Sequence, residues 1–296
     1  MSRKQITRRP TVAIVGAGRL ATFLAVALHE AGFTITEIVA RGSAGSRRHA
    51  RSLAAKVGAK TKTVNSALLD ATLLWFCVPD GEIQRSAAAT ADQLAVRTAV
   101  HKKHKLRFAF HSSGALLSRA LDPLRKAGAA VASVHPLMTF VTGSHPSLTD
   151  VPFAIEGDEP AKRVARRIVH QLGGESFSLS ASRKAAYHAW ATMTSPMLLA
   201  FLVTLEEAAR AAGLTRQDAR RKSLPIISQT LANYSRLGPA RSFSGPLVRG
   251  DAATVGKHLT VLKKDLGVRE VYKALARAAM RGLPVKNREG LLRLLR

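Results

Sequence analysis

Cysteine is almost absent: Cys77 is the single one in 296 residues. One thiol cannot build an intrachain disulfide framework or a thiolate metal site, and its scarcity points to a reducing, cytoplasmic setting. Aromatic residues make up only 5%, too few for the interleaved stacking platforms of single-stranded nucleic-acid binders. Acidic residues are scarce as well, 19 against 46 lysines and arginines, for a formal net charge of +27. That balance would suit a polyanion binder. Yet the excess is spread along the chain, through Arg47-Arg48, His101 to Lys105, Arg166-Arg167, Arg220-Arg221-Lys222, Arg293 and Arg296. Dispersed basicity accounts for solubility and salt-sensitive sticking rather than a specific duplex site, so no specific nucleic-acid partner is expected.

Other absences narrow the chemistry further. No apolar stretch reaches the length needed to span a bilayer, so no membrane partner is expected. The basic arm over residues 1–9 runs into strand residues rather than a signal-peptide apolar region. The ten histidines include no His-Glu-x-x-His, and no Gly-x-Ser-x-Gly elbow exists; neither a metal site nor a serine hydrolase is expected.

What the chain does contain begins at residue 11. The apolar run Thr11-Val12-Ala13-Ile14-Val15 feeds into Gly16-Ala17-Gly18-Arg19-Leu20-Ala21, and an apolar helical stretch follows to Leu28. This is a strand, a Gly-x-Gly-x-x-Ala turn and a helix, the order a dinucleotide-binding turn needs. Gly16 makes the tight exit from the strand and Gly18 lets backbone approach a pyrophosphate. Ala21 lets the helix pack close, while free N–H groups at the helix start face the anion. A glycine-rich turn of some other α/β protein is the competing reading. The second strand, Thr34 to Ala40, ends at Arg41-Gly42-Ser43, with Arg47 and Arg48 a turn later. An NAD site usually carries a carboxylate at that strand end, but Glu37 lies inside the strand, too early for the ribose. Arg41 and Ser43 instead suit a 2′-phosphate, so NADP(H) is expected over NAD(H). The alternative is that these arginines merely belong to a generally basic surface.

Strand and helix patterns alternate as far as about residue 180, predicting a doubly wound parallel sheet over residues 10–180. Helices are expected near Ala44 to Val57 and Pro160 to Leu172, and strands at Thr61 to Val64, Ala71 to Val78, Leu106 to Phe110, Ala129 to Val134, Val151 to Ile155 and Ser176 to Leu179. Beyond this the strand signals stop, and residues 181–296 read as an all-helical domain. Ser182 to Ala212 reads as one long helix kinked at Pro196. Helical patterns then follow at Arg216 to Leu237, Asp251 to Leu266 and Arg269 to Arg281, with a short C-terminal helix. The long helix is apolar on more than one face and must be covered, which points to a homodimer built by the helical domain.

In an open α/β sheet the substrate meets the carboxyl ends of the strands. Cys77-Val78-Pro79-Asp80, His111-Ser112-Ser113-Gly114 and His135-Pro136 all arrive there. Val78, Pro79 and Ser112 are placed with the cofactor, and Ser113 and His135 with the substrate. Ser113 reads equally well as an N-cap for a helix starting at Ala115, Asp80 as a cap after Pro79, and His135 as a hydrogen-bonded structural histidine. Lys184 and His188, four apart on one helix face, can supply the proton that a carbonyl or imine needs after hydride transfer; with Ser113 they are the candidate catalytic groups. An exposed Lys–His pair at a helix start is the plainer alternative.

Taken in order, these segments resemble a known arrangement. Gly-x-Gly-x-x-Ala, Val78-Pro79-Asp80, His111-Ser112-Ser113-Gly114-Ala115-Leu116, Ser133-Val134-His135-Pro136-Leu137, Lys184-x-x-Tyr187-His188-Ala189 and Ser244-Gly245-Pro246-Leu247-x-Arg249-Gly250-Asp251 resemble bacterial proteins that couple a Rossmann-like domain to a helical domain of unknown function. More distantly the chain is similar to the 6-phosphogluconate dehydrogenase-like superfamily, including pyrroline-5-carboxylate reductase and ketopantoate reductase. The resemblance implies an NADP-type cofactor, a helical dimerisation domain and a small-molecule substrate held in a cleft between domains. It also places Thr194-Ser195-Pro196 where pyrroline carboxylate reductases carry a Ser-Gly-Pro helix, making Ser195 a substrate-binding candidate, although the glycines of that pattern are missing. The Lys-x-x-x-Asn pair of β-hydroxyacid dehydrogenases is absent, because His188 occupies the fourth position after Lys184. The expected activity is hydride transfer to or from a small carbonyl, hydroxy acid or imine, with a non-catalytic NADP(H)-binding redox sensor or scaffold as the alternative.

Overall fold

The computed structural model describes residues 9–40, 42–67, 69–101, 106–144 and 146–296. The chain divides into two compact units, Met1–Thr192 and Met193–Arg296. Residues 181–192 are thus grouped with the sheet, although the loss of strand signals after 180 had suggested an earlier boundary.

The first unit is built on an eight-stranded sheet. Its elements are β1 (Val12–Val15), α1 (Arg19–Glu30), β2 (Ile35–Ala40), α2 (Ala44–Lys56), β3 (Lys60–Thr63), β4 (Leu73–Phe76), α3 (Asp80–His101), β5 (Phe108–His111), α4 (Asp122–Lys126), β6 (Ala130–Pro136), β7 (Pro152–Gly157), α5 (Glu159–Gln171), β8 (Glu175–Ser178) and α6 (Lys184–Thr192). The strand order is β3-β2-β1-β4-β5-β6-β7-β8. Every neighbour pair is parallel except β6 and β7, which run antiparallel with Val134 opposite Ile155. The sheet is therefore mostly rather than wholly parallel. The physical reason is the connection: the described residues of 137–151 hold no helix, and without a crossover the chain returns beside the strand it has just left.

β1 and β4 are buried along their whole length, as central strands covered on both faces must be. One face packs under α1, α2 and α5, whose inward positions include Leu24, Leu53 and Ile168. The other face packs under α3 and α4, through Ile83, Leu94 and Leu124. Trp75 and Phe110 are fully buried and meet edge-on, with centroids 5.3 Å apart, a preferred aromatic geometry. Glu37, though inside β2, is buried, and its carboxylate accepts the Leu69 N–H at 2.9 Å.

No helix begins at Ala115. Residues 114–116 form a bend, followed by a 3-10 turn at Ser118–Leu121 and then α4. The expected single helix from Ser182 to Ala212 is interrupted by a π turn at Met193–Met197, which contains Pro196. Proline has no N–H to return to the preceding turn and its ring crowds it; a π turn is one way a helix absorbs that local mismatch.

The second unit continues with α7 (Leu198–Arg210), α8 (Arg216–Leu237), α9 (Pro239–Ser242), α10 (Pro246–Arg249), α11 (Ala252–Val261), α12 (Leu266–Gly282) and α13 (Arg288–Leu294). Its core cluster joins Val255 and Leu259 of α11, Ala276 and Met280 of α12, and Leu291 and Leu295 at α13. Arg220 of α8 clasps Glu206 of α7 through both carboxylate oxygens, at 2.7 and 3.1 Å. Within the helical run Ala181–Arg210 an 18-residue window reaches a mean hydropathy of 1.3, enough by length and composition for a membrane span, so the expectation that no segment reaches that length is corrected.

Candidate active site

The glycine turn shows why each small residue stands where it does. Gly16 has φ +115°, and a Cβ there would lie 2.4 Å from the Cys77 carbonyl oxygen. Its N–H donates to the Val39 carbonyl at 2.9 Å, so β1, β2 and the end of β4 converge on one residue. Gly18 differs: a Cβ there would meet no protein atom within 4 Å. The fold has no steric need for glycine at 18, and the free volume lies at the start of α1, which no side chain caps. Ala21 is fully buried beneath α1.

Gly16, Ala17, Gly18, Ser43, Val78 and Pro79 line one cleft of about 370 Å³. Gly45, Ser46 and His49 from the first turns of α2 line it too. These three were missed in the sequence reading, although a helix beginning at the end of β2 places them there. Ser43 caps α2 by accepting the Ser46 N–H. No Asp or Glu is among the lining residues. An uncapped helix start, open space over Gly18 and an acid-free lining fit a phosphate-bearing ligand. Arg19 lies elsewhere, in a larger groove of about 950 Å³ between α1 and residues 141–149, and Leu20 packs partly into the core. Arg47 donates to the Gly42 carbonyl. Arg41 lies outside the described residues. Ser112 is buried, and its hydroxyl accepts the Trp75 indole N–H at 2.8 Å.

Beside this cleft, the ends of β4, β5 and β6 and the start of α6 bring six titratable groups together: Asp80, His111, His135, Lys184, Tyr187 and His188. Ser113 is tied at every polar atom. Its hydroxyl donates to Asp80 at 2.7 Å and accepts the Ala115 and Leu116 N–H groups at 3.2 and 2.9 Å. Its N–H donates to His111 Nδ1 at 3.1 Å and its carbonyl accepts from the Ser133 hydroxyl at 3.1 Å. The expected capping by Ser113 is thus realised on a bend rather than on a helix. Behind it, Lys184 Nζ donates to the Ser133 hydroxyl at 2.5 Å.

Lys184 is buried at 2% exposure, so it is no exposed partner of His188. Burial holds its ammonium down to about 8, against the pull of Glu156 and Asp80. His111 donates through Nε2 to the Leu117 carbonyl at 3.0 Å. Desolvation lowers it to about 4, and the Lys184 charge acts in the same direction. His135, also at about 4, is held neutral by burial first and then by Lys184 and His188. Its Nδ1 lies 2.6 Å from the Tyr187 hydroxyl. Tyr187 is missing from the sequence-derived candidates, since a buried tyrosine on an apolar helix reads as core. Gly114 explains the glycine of its segment: a Cβ there would lie 2.7 Å from His188 Cδ2 and 2.9 Å from His135 Nε2. Ser195 lies half-exposed in the π turn of the second unit.

Gly250 and Asp251 of the Gly-Pro-x-x-Arg-Gly-Asp segment have structural explanations. Gly250 has φ +71° and leaves no room for a Cβ against Asn287, while Asp251 caps α11.

These features define a protein that joins a Rossmann-type sheet to a helical unit. Residues 2–136 match the family model of the Rossmann-like domain, and residues 151–279 match the domain of unknown function DUF2520. The chain therefore carries both domain types, in that order. No curated relative matches the sequence. Among solved structures, it is similar to a Bacteroides fragilis protein provisionally named an NADP oxidoreductase, with 22% identity and a TM-score of 0.71 over 91% of this chain and 97% of that one. It is similar to a pyrroline-5-carboxylate reductase from Coxiella burnetii at 15% identity and TM-score 0.58, over 92% and 98% of the two chains. It is also similar to an imine reductase from Myxococcus stipitatus in complex with NADP+, at 18% identity and TM-score 0.61, over 97% and 100%; a variant of that enzyme carries NAD+. At these identities the likeness establishes the fold.

Proposed function

We propose that the chain is an NADP(H)-dependent oxidoreductase acting on a small carbonyl, hydroxy acid or imine compound. The observation that carries this reading is the open volume over Gly18, at the head of an acid-free cleft and beside the six-group cluster at the strand ends. Bound in that cleft, a nicotinamide dinucleotide supplies or accepts a hydride. The start of α1 receives the pyrophosphate, Ser43, Ser46 and His49 form the side toward a 2′-phosphate, and Arg41 is assigned to that phosphate on its place in the sequence alone. The structures of fold relatives with NADP+ support a nicotinamide cofactor. The preference for the phosphorylated form rests on the missing acid at the end of β2.

Within the cluster, the half-buried imidazole of His188 over Gly114 holds the proton exchanged at the substrate heteroatom. His135 orients that heteroatom. Lys184, spent on Ser133, keeps the Ser113–Gly114 bend in place rather than meeting substrate. The apolar faces of the helical unit form a homodimer contact.

Thermal-shift titration with NADPH and NADH tests the cofactor. A larger rise with NADPH is expected, and equal or absent rises would remove the NADP(H) reading. Arg41→Asp should weaken NADPH binding by at least about 2 kcal/mol, roughly thirtyfold, while leaving NADH binding nearly unchanged. Binding without oxidation across a carbonyl and imine panel would favour the redox-sensor alternative.

A further inference from the structure

We propose that Tyr187 is a positioning residue that fixes the tautomer of His135, so that a neutral imidazole presents its Nε2–H over Gly114 as a hydrogen-bond donor to the substrate heteroatom. The last clause rests on the function proposed above; the tautomer itself does not.

The argument starts from local geometry. His135 sits at the end of β6 before Pro136, which holds the histidine backbone extended, and its ring is half-buried. Tyr187 comes from α6 and is 7% exposed. Its ring meets His135 edge-on at 5.6 Å and is flanked by Phe177 at 5.9 Å and Trp190 at 6.0 Å. Wedged this way, the phenol directs its oxygen at His135 Nδ1, 2.6 Å away. Among the described residues that is the only hydrogen bond of the Tyr187 hydroxyl.

Two arrangements would satisfy that distance. If Nδ1 carried the hydrogen and donated to the phenol oxygen, the tyrosine O–H would be left without an acceptor in a mostly buried place, a penalty of about 1–3 kcal/mol. If the phenol donates, its one hydrogen is used and Nδ1 accepts, which puts the ring hydrogen on Nε2. Burial pushes the phenol up to about 12, so the O–H persists as a donor.

The groups facing His135 keep it uncharged. Lys184 and His188 from α6 and His111 from β5 oppose a positive ring, and Asp80 at the start of α3 favours one; desolvation outweighs it. Nε2 lies 2.9 Å from the position a Cβ at residue 114 would take, and it has no protein partner among the described residues. A donor with a locked tautomer, unspent on the protein and facing a glycine, is suited to a carbonyl oxygen or imine nitrogen. Two titratable neighbours are thus joined as one unit, with Tyr187 acting through His135.

The test is nitrogen-15 NMR of the full chain labelled at histidine, with the His135 signals assigned by their loss in His135→Gln. We expect an acceptor-type Nδ1 and a protonated Nε2 at pH 7, unchanged down to pH 5. Tyr187→Phe should move Nδ1 toward the shift of a mixed tautomer population without lowering the melting temperature enough to unfold the protein. An Nδ1–H tautomer, or a charged ring at pH 7, in the unaltered protein would overturn the proposal. So would an unchanged Nδ1 shift in folded Tyr187→Phe. If that variant does not fold, the unaltered protein's spectrum still decides the tautomer. The measurement needs neither cofactor nor substrate, so failure to bind NADPH leaves it standing as a separate result.

Discussion

Gly16 and Gly18 sit two residues apart in one turn, yet their glycines serve different ends. At Gly16 the left-handed backbone and the Cys77 carbonyl 2.4 Å from a would-be Cβ make any side chain a strain on the fold. At Gly18 the protein leaves a Cβ free space. We therefore expect Gly16→Ala to destabilise by about 1–3 kcal/mol and Gly18→Ala to retain the original melting temperature while weakening NADPH at least tenfold. Calorimetry and NADPH fluorescence titration on both variants check this; a Gly18→Ala protein with unchanged affinity would detach that glycine from the cofactor. His111 gives a second prediction. Its pKa is lowered to about 4 in the folded chain against about 6.5 unfolded, so the unfolded state binds more protons between those values. Stability from its burial is complete above about pH 6.5 and is lost as pH falls toward 4. Between pH 7.5 and 5 the loss should be roughly 2 kcal/mol. Urea unfolding of the parent and His111→Asn at both pH values isolates it; an equal pH slope in the two would refute the assignment. Much of the glycine turn was legible in the sequence, because glycine spacing after a strand is a backbone constraint written in residue type. Tyr187 and the burial of Lys184 were not, since they arise where α6 meets β6, some fifty residues away.

The elements followed the sequence closely where periodicity alone decides them. α8 has the predicted bounds Arg216–Leu237 even with Pro225 inside it, and α5 lies within a residue or so of its amphipathic pattern. Two misreadings came where a proline or a missing crossover overrode local preference, the π turn at Pro196 and the antiparallel β7; at the bend after Gly114 the Ser113 hydroxyl takes the Ala115 and Leu116 N–H groups without a helix following. The Gly250-Asp251 pair, part of the segment that carries the family resemblance in sequence, is a joint between helices. Asp251 accepts the Thr254 N–H at 2.9 Å and also the Thr254 hydroxyl at 2.6 Å, closing the exposed amide ends of α11, while Asn287 donates to the Gly250 carbonyl at 3.1 Å. Asp251→Ala should lower stability by about 1 kcal/mol, and Asp251→Asn should recover most of it because an amide oxygen also caps. Chemical denaturation of the pair measures this, and NADPH affinity should be unaltered in both. A loss of cofactor binding in Asp251→Asn with stability intact would make the segment functional after all.

At the scale of the whole molecule, the second unit leaves apolar surface that its own core does not use. Its buried cluster draws on α11, α12 and α13, whereas Leu199 of α7 and Ile226 and Leu231 of α8 are 63%, 69% and 56% exposed. Scattered surface leucines are ordinary, but several large apolar side chains concentrated on two neighbouring helices mark an interaction surface. A lipid surface is the competing cover, given the apolar run Ala181–Arg210. Against it, Lys184 near the head of that run is spent within the strand-end cluster, and Glu206 and Arg220 are paired along the same two helices. A second copy of the chain would bury such faces by two-fold symmetry without exposing charge to hydrocarbon. Sedimentation velocity at micromolar concentration should therefore give a dimer in the absence of detergent. Leu199→Glu combined with Ile226→Glu should shift it to monomer while the Rossmann-type unit keeps its NADPH response, because both substitutions lie on exposed positions. A parent chain that sediments as a stable monomer would sink the dimer. One that partitions onto uncharged vesicles would favour the membrane instead.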